Sequence, residues 1–73
     1  MNSFERKIDD AVNSAIERSL VAHEIAFFDP SELVVQDFID GGRIYSYRGC
    51  KLVRLNPPVT IDGKITVSVD VLD

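Results

Sequence analysis

The chain has 73 residues, with eight Lys or Arg against twelve Asp or Glu for a net charge of −4, and it carries one cysteine and one histidine. A single cysteine excludes an intramolecular disulfide, and with a lone histidine it leaves too few soft ligands for a structural zinc. No basic-plus-apolar leader and no apolar run near the ~20 residues that span a bilayer is present, so a soluble, cytoplasmic protein without a membrane segment is expected.

Read as one domain over residues 1–73, a chain of this length hides only roughly 60 % of its unfolded surface. Self-association is the supplement that the composition leaves open. In the first segment Phe4, Ile8, Ala11, Val12, Ala15, Ile16, Ser19, Ala22 and Ala26 share one side of a 3.6-residue wheel, opposite Arg6, Asp10, Asn13 and Glu17. The spacing predicts a long amphipathic helix, capped by Asn2 or Ser3, with Glu5 at the positive end of its dipole. From Val21 onward apolar residues appear on both sides of the wheel, so the helix either ends near residue 22 or is buried all round there.

Residues 29–40 carry helix signals at both ends: Asp29 as N-cap, Pro30 at the first position, Glu32 at the third and Gly41 beyond the end. Val34, Val35, Phe38 and Ile39 recur at helical spacing, and a second, short helix is expected. A strand with Gly41-Gly42 turning a hairpin is the alternative, because adjacent valines and a phenylalanine favour extended backbone. After Gly42 the pattern becomes extended. Arg43–Arg48 and Lys51–Asn56 flank Gly49-Cys50, a two-residue turn with glycine first, as a type II′ hairpin requires. Pro57 and Pro58 end that ladder, since proline lacks the N–H it needs. Asp62-Gly63 then turns the chain into an alternating strand, with Ile65, Val67, Val69 and Val71 on one face, and a short hairpin closed by this turn with Val59 to Ile61 is the added possibility. The architecture expected is α+β: one long N-terminal helix and a second short helix packed on a three-stranded antiparallel β-meander.

Charge is segregated along the chain. Residues 1–42 hold three cations against nine acids, a net of −6, whereas residues 43–56 hold Arg43, Arg48, Lys51 and Arg54 and no acid, a net of +4. With the turn at Gly49-Cys50, Tyr45, Tyr47, Leu52 and Arg54 share one side of the hairpin, and Ile44, Ser46, Val53 and Leu55 the other. The aliphatic side is expected to face the helices and the tyrosine side the solvent, with Arg48 and Lys51 opposed beside the turn. Arg43, Tyr45, Tyr47, Arg48, Lys51 and Arg54 are therefore the candidate partner- or anion-binding residues. The competing expectation is that the cations are counter-charges for the acids of residues 1–42, each exposed pair contributing only ~0–1 kcal/mol.

No catalytic constellation stands out. "HEIAF" at residues 23–27 has Phe27 where a zinc-protease helix needs its second histidine. His23 lacks an identifiable partner, and Cys50, although flanked by Arg48 and Lys51, lies in a turn without an assured base. No metal or cofactor is expected. Together these features predict a non-catalytic protein-interaction module, a small regulator or inhibitor of the kind common among accessory proteins of phages and plasmids, which binds a protein partner with an acidic surface. It is expected to be a homodimer, joined through the apolar residues that one amphipathic face does not need: Val21, Ile25, Phe27 and Phe28. The alternative is a binder of nucleotides or short single-stranded nucleic acid through hairpin 43–55, against which stand the sequence pI of about 4.7 and the lack of a glycine-rich phosphate loop.

Overall fold

The computed structural model describes residues 3–72. Helix α1 spans Ser3–Ala22 and turns Val12, Ala15, Ile16 and Ser19 inward at spacings of three and one, as the wheel requires. Asn2, one of the two expected caps, lies outside the described residues, and Ser3 is the first residue of the helix. The helix stops at Ala22 because Glu24 adopts a left-handed conformation (φ 57°). The Ile25 N–H then donates to the Leu20 carbonyl at 2.8 Å and the Glu24 N–H to the Val21 carbonyl at 3.1 Å, a Schellman closure. Ile25 and Leu20 both pack against the core beside it. Glycine is the residue that this position favours, so Glu24→Gly is expected to raise the free energy of unfolding by about 0.5–1 kcal/mol, measured by urea titration.

The second helix expected over residues 29–40 is not formed. Asp29 does act as a cap, accepting from the Ser31 amide at 3.0 Å and the Ser31 hydroxyl at 2.8 Å, and these donors hold its carboxyl below the usual carboxylate range. However, the helical segment is a single 3₁₀ turn, Pro30–Glu32, after which Leu33 is extended and strand β1 (Leu33–Asp37) begins. A ten-residue helix containing an adjacent valine pair is marginal on its own, while an extended strand gains a full ladder against the next segment.

Strand β2 (Arg43–Tyr47) pairs antiparallel with β1, from Leu33↔Tyr47 to Asp37↔Arg43, and β3 (Cys50–Leu55) pairs with β2. Pro57 and Pro58 end β3, as their chemistry demands. A separate hairpin comes next, of β4 (Val59–Ile61) and β5 (Lys64–Thr66), turned by Asp62 and Gly63 with φ of 52° and 75°. The alternating segment expected as one strand is thus split: residues 64–66 stay in this hairpin, and β6 (Val69–Val71) returns to pair with β3. Asn56 guides that return, its backbone N–H donating to the Ser68 carbonyl at 2.9 Å and its side-chain amide to the Ser68 hydroxyl at 3.1 Å. Instead of a three-stranded meander, the α+β fold therefore has a four-stranded antiparallel sheet, ordered β1-β2-β3-β6, and a small two-stranded one. No helix among the described residues is long and apolar enough to cross a membrane.

The β2–β3 hairpin departs from the expected register in two ways. Tyr47 pairs with Cys50, so the turn is Arg48-Gly49, both with positive φ (50° and 80°), a type I′ arrangement and not the type II′ turn at Gly49-Cys50. The ladder then shifts, with Ser46 opposite Lys51 but Tyr45 opposite Val53, which leaves Leu52 as the extra residue of a β-bulge. The bulge sends both Leu52 and Val53 to the helix side, where each is fully buried. They join Tyr45, Tyr47, Leu55, Val12, Ala15 and Ile16 in one core cluster, with Val69 and Val71 packed against it. The tyrosines are consequently on the inner side of the sheet with Leu52, and Ile44 and Ser46 on the outer side, the reverse of the expected orientation, whereas Val53 and Leu55 face the helix and Arg54 the outer side as expected. Two tyrosines offer more area for burial than the aliphatic residues opposite them, and their hydroxyls still reach the rim: that of Tyr47 accepts the Asp29 N–H at 3.1 Å.

Candidate functional site: the open face of the sheet

Helix α1 packs on one face of the four-stranded sheet, and no second α-helix among the described residues lies against the other. The outer face is formed by Val34 and Gln36 of β1, Ile44 and Ser46 of β2, Lys51 and Arg54 of β3 and Asp70 of β6, as the pairings of Ser46 with both Val34 and Lys51, and of Arg54 with both Ile44 and Asp70, require. Ile44 is buried without belonging to the core cluster, and it forms the floor of a shallow cleft of about 350 Å³ whose walls include Phe38, Pro57, Lys51 and Arg54.

The four cations of the hairpin have different fates. Arg43 pairs with Asp37 at 2.7 Å, and the Tyr45 hydroxyl together with that carboxylate favours its charged form. Arg48 donates two hydrogen bonds to Glu32, at 2.8 and 3.1 Å, and its guanidinium lies 5.4 Å from the centre of the Tyr47 ring. These are internal counter-charges. Lys51 and Arg54, by contrast, have no side-chain ion pair or hydrogen bond among the described residues. Asp70, opposite Arg54 in the β3–β6 register, accepts from the Asn56 amide at 2.9 Å, and Asp40, which lines the same cleft, accepts from the Gly42 N–H at 2.9 Å. The opposition of Arg48 and Lys51 does not arise, because Arg48 sits in the turn and Lys51 faces Ser46.

Tyr45 and Tyr47 are 8 % and 2 % exposed, so neither ring is open to a ligand. Of the residues expected to mediate self-association, Val21 and Phe27 are 78 % and 79 % exposed, whereas Ile25 and Phe28 pack on the core, Phe28 with its ring centre 4.8 Å from that of Tyr47. Val34, Val35, Phe38 and Ile39 are surface residues that a helical reading of residues 29–40 turns inward instead. Extended backbone through the two valines is the signal that points to them.

The fold also brings together two residues distant in the chain, His23 and Cys50. The His23 Nε2 donates to the Leu72 carbonyl at 2.9 Å. The Cys50 Sγ lies 3.4 Å from Nδ1 and 3.8 Å from Nε2. A thiol placed along the in-plane lone pair of Nδ1 would be far more distant from Nε2 than from Nδ1, so these near-equal distances put the sulfur over the face of the imidazole. That is a packing contact, and the ring's lone pair is not aimed at the thiol proton. Among the described residues no three His, Cys, Asp or Glu side chains gather to hold a metal ion.

Comparison with family models, with curated proteins and with solved structures finds no match to this chain. The class defined by the coordinates is therefore architectural: a small α+β protein with a helix on one face of its sheet and a partly cationic, apolar-floored opposite face.

Proposed function

We propose that this chain is a non-catalytic protein-interaction module, a small regulator or inhibitor that occupies the surface of a partner protein and works in the cytoplasm as a homodimer. The outer sheet face is the docking surface, and the segment it takes from the partner is acidic with an apolar side chain alongside. One observation carries this reading: Lys51 and Arg54 both line the cleft without a carboxylate partner among the described residues, above a floor made by Ile44 and beside Phe38. A segment that supplies carboxylates to both cations and an apolar group to the cleft satisfies charge and hydrophobicity together. The tyrosines expected to stack a nucleotide or single-stranded nucleic acid belong to the core, which leaves Phe38 as the one aromatic ring among the residues lining the cleft.

The test is a titration with a blocked synthetic peptide of alternating Glu and Phe, beside the same peptide with Gln for Glu, a ten-nucleotide oligothymidine and adenosine monophosphate. Binding is expected for the Glu peptide alone. It should weaken with added salt and fall on the order of tenfold in Lys51→Glu/Arg54→Glu, from the loss of two exposed charge contacts. Equal binding of the Glu and Gln peptides overturns the electrostatic part, and binding of the oligonucleotide in its place transfers the site to nucleic acid.

A further inference from the structure

We infer that the open edge of β1 pairs with the same edge of a second copy, joining two four-stranded sheets into one continuous antiparallel sheet about a twofold axis at Val35. The inference rests on the homodimeric part of the reading above, but it names a seam distinct from Val21 and Phe27 and from the outer face.

The backbone of β1 decides which groups the edge offers. The Phe38 N–H donates to the Gly42 carbonyl at 2.9 Å, and this pair continues the β1–β2 register. Antiparallel ladders alternate, so Phe38, Gln36 and Val34 direct their N–H and C=O toward β2, while Leu33, Val35 and Asp37 direct theirs to the open edge. The Leu33 N–H is already taken by the Pro30 carbonyl. The groups left pointing outward are the N–H and C=O of Val35, the N–H and C=O of Asp37, and the Leu33 carbonyl.

A twofold axis on Val35 matches these groups to one another. The two Val35 residues exchange a pair of N–H···O bonds, and each Asp37 N–H meets the Leu33 carbonyl of the second copy. The contact is isologous, as closed dimers require. No like charges oppose each other across it: the pairs are Val35 with Val35, Val34 with Gln36, and Leu33 with Asp37. The two acids that flank the seam, Glu32 and Asp37, are each held by an arginine of their own chain, Arg48 and Arg43. These internal ion pairs leave the edge electrically quiet for a second copy of the same acidic chain.

The edge is short and ends in the charged Asp37, but it lacks the other devices that keep sheet edges apart. Strand β1 contains no proline, no lysine and no bulge, and Val34 and Val35 are 62 % and 46 % exposed on its two faces. Phe38 and Ile39, also exposed, continue beyond it and run alongside Glu32 and Ser31 of the second copy in this register. A five-residue seam is short for a stable interface, so the dimer is concentration-dependent, with dissociation in the micromolar range or weaker.

Light scattering over a dilution series from millimolar to low micromolar tests the pairing. The expected result is a mass that rises from 8.2 kDa toward twice that value with concentration. Val35→Pro removes only an N–H that no group of its own chain accepts, so it should keep the fold by circular dichroism and remain monomeric throughout. Independently, in a Cys50→Ser background, Val35→Cys should oxidise to a covalent dimer at least tenfold faster than Val34→Cys, because hydrogen-bonded partners lie about 5.5 Å apart between Cα atoms, within disulfide reach. A monomer at every concentration overturns both this seam and the homodimer. A dimer that persists in Val35→Pro, or cross-links equally at both positions, overturns the seam alone and leaves the homodimer to another surface.

Discussion

Replacing Tyr47 by alanine is expected to abolish the cooperative unfolding transition, leaving a chain that urea titration monitored by circular dichroism shows as largely unstructured. Tyr47 is 2 % exposed and ties three segments together. It belongs to the core cluster under α1, its ring packs on Phe28 at 4.8 Å, and its hydroxyl accepts the Asp29 N–H at the start of the 3₁₀ turn. Truncation of a buried aromatic to alanine costs about 3–5 kcal/mol. A chain of this length has roughly 4–11 kcal/mol in total at the usual stability per residue. Tyr47→Phe keeps the ring and loses only the acceptor for one partly buried N–H, so it should cost about 1 kcal/mol with the fold intact. The two variants together separate a core tyrosine from a ligand-stacking one. A surface ring used for stacking would show the opposite pattern, with full stability in both variants and weakened ligand binding in the alanine variant.

The long helix is legible in the sequence because its inward stripe repeats without interruption from Ile8 to Ser19 and loses coherence at Val21, where the structure ends it. The hairpin of Val59–Ile61 with Lys64–Thr66 is legible for a similar reason, since Asp62-Gly63 suits only a tight turn with positive φ. The segment after Asp29 reads as a helix because one 3₁₀ turn and a full helix use the same opening residues. The Asp29 cap and Pro30 are satisfied by three residues, and the backbone beyond Glu32 is decided by the ladder with β2, which local signals do not contain. The hairpin's partners change at its apex: a glycine-first turn places Gly49-Cys50 there, but Arg48 accepts a positive φ and moves the apex back by one, which by itself leaves the faces as they were. Moving the apex one residue toward the N-terminus shifts every partner by two, an even slip that preserves the faces, and the bulge at Leu52, which no glycine announces, adds the one-residue slip that brings Val53 and Leu55 to the side of the tyrosines. For the candidate site, the charge segregation is visible in the sequence, but which cations are quenched depends on where β1 lies. Because β1 is a strand beside β2, Glu32 and Asp37 reach Arg48 and Arg43, and Lys51 and Arg54 remain.

The bulge makes Leu52 the second position of large effect. In a regular hairpin, residues 52 and 53 would face opposite sides, and one of them would lie on the outer face with Lys51 or Arg54. The extra residue lets both point inward, so β3 supplies Leu52, Val53 and Leu55 to the helix side from four consecutive positions. Leu52 is fully buried, and Leu52→Ala is expected to cost about 2–5 kcal/mol, the upper end applying if neighbours held by strand pairing cannot collapse into the space. Deletion of Leu52 is a different experiment. It removes the same side chain but also the irregularity, and it restores plain alternation with Val53 opposite Tyr45, Arg54 opposite Ile44 and every neighbour on its present face. The deletion should therefore preserve the outer face with Lys51 and Arg54, and its stability should fall no further than that of Leu52→Ala. Deleting Arg54 instead would turn Leu55 outward and is expected to prevent folding altogether. Urea midpoints for the three variants order them, and a Leu52 deletion markedly less stable than Leu52→Ala would show that the irregularity in β3 is required by the β3–β6 pairing and does more than add a side chain to the core.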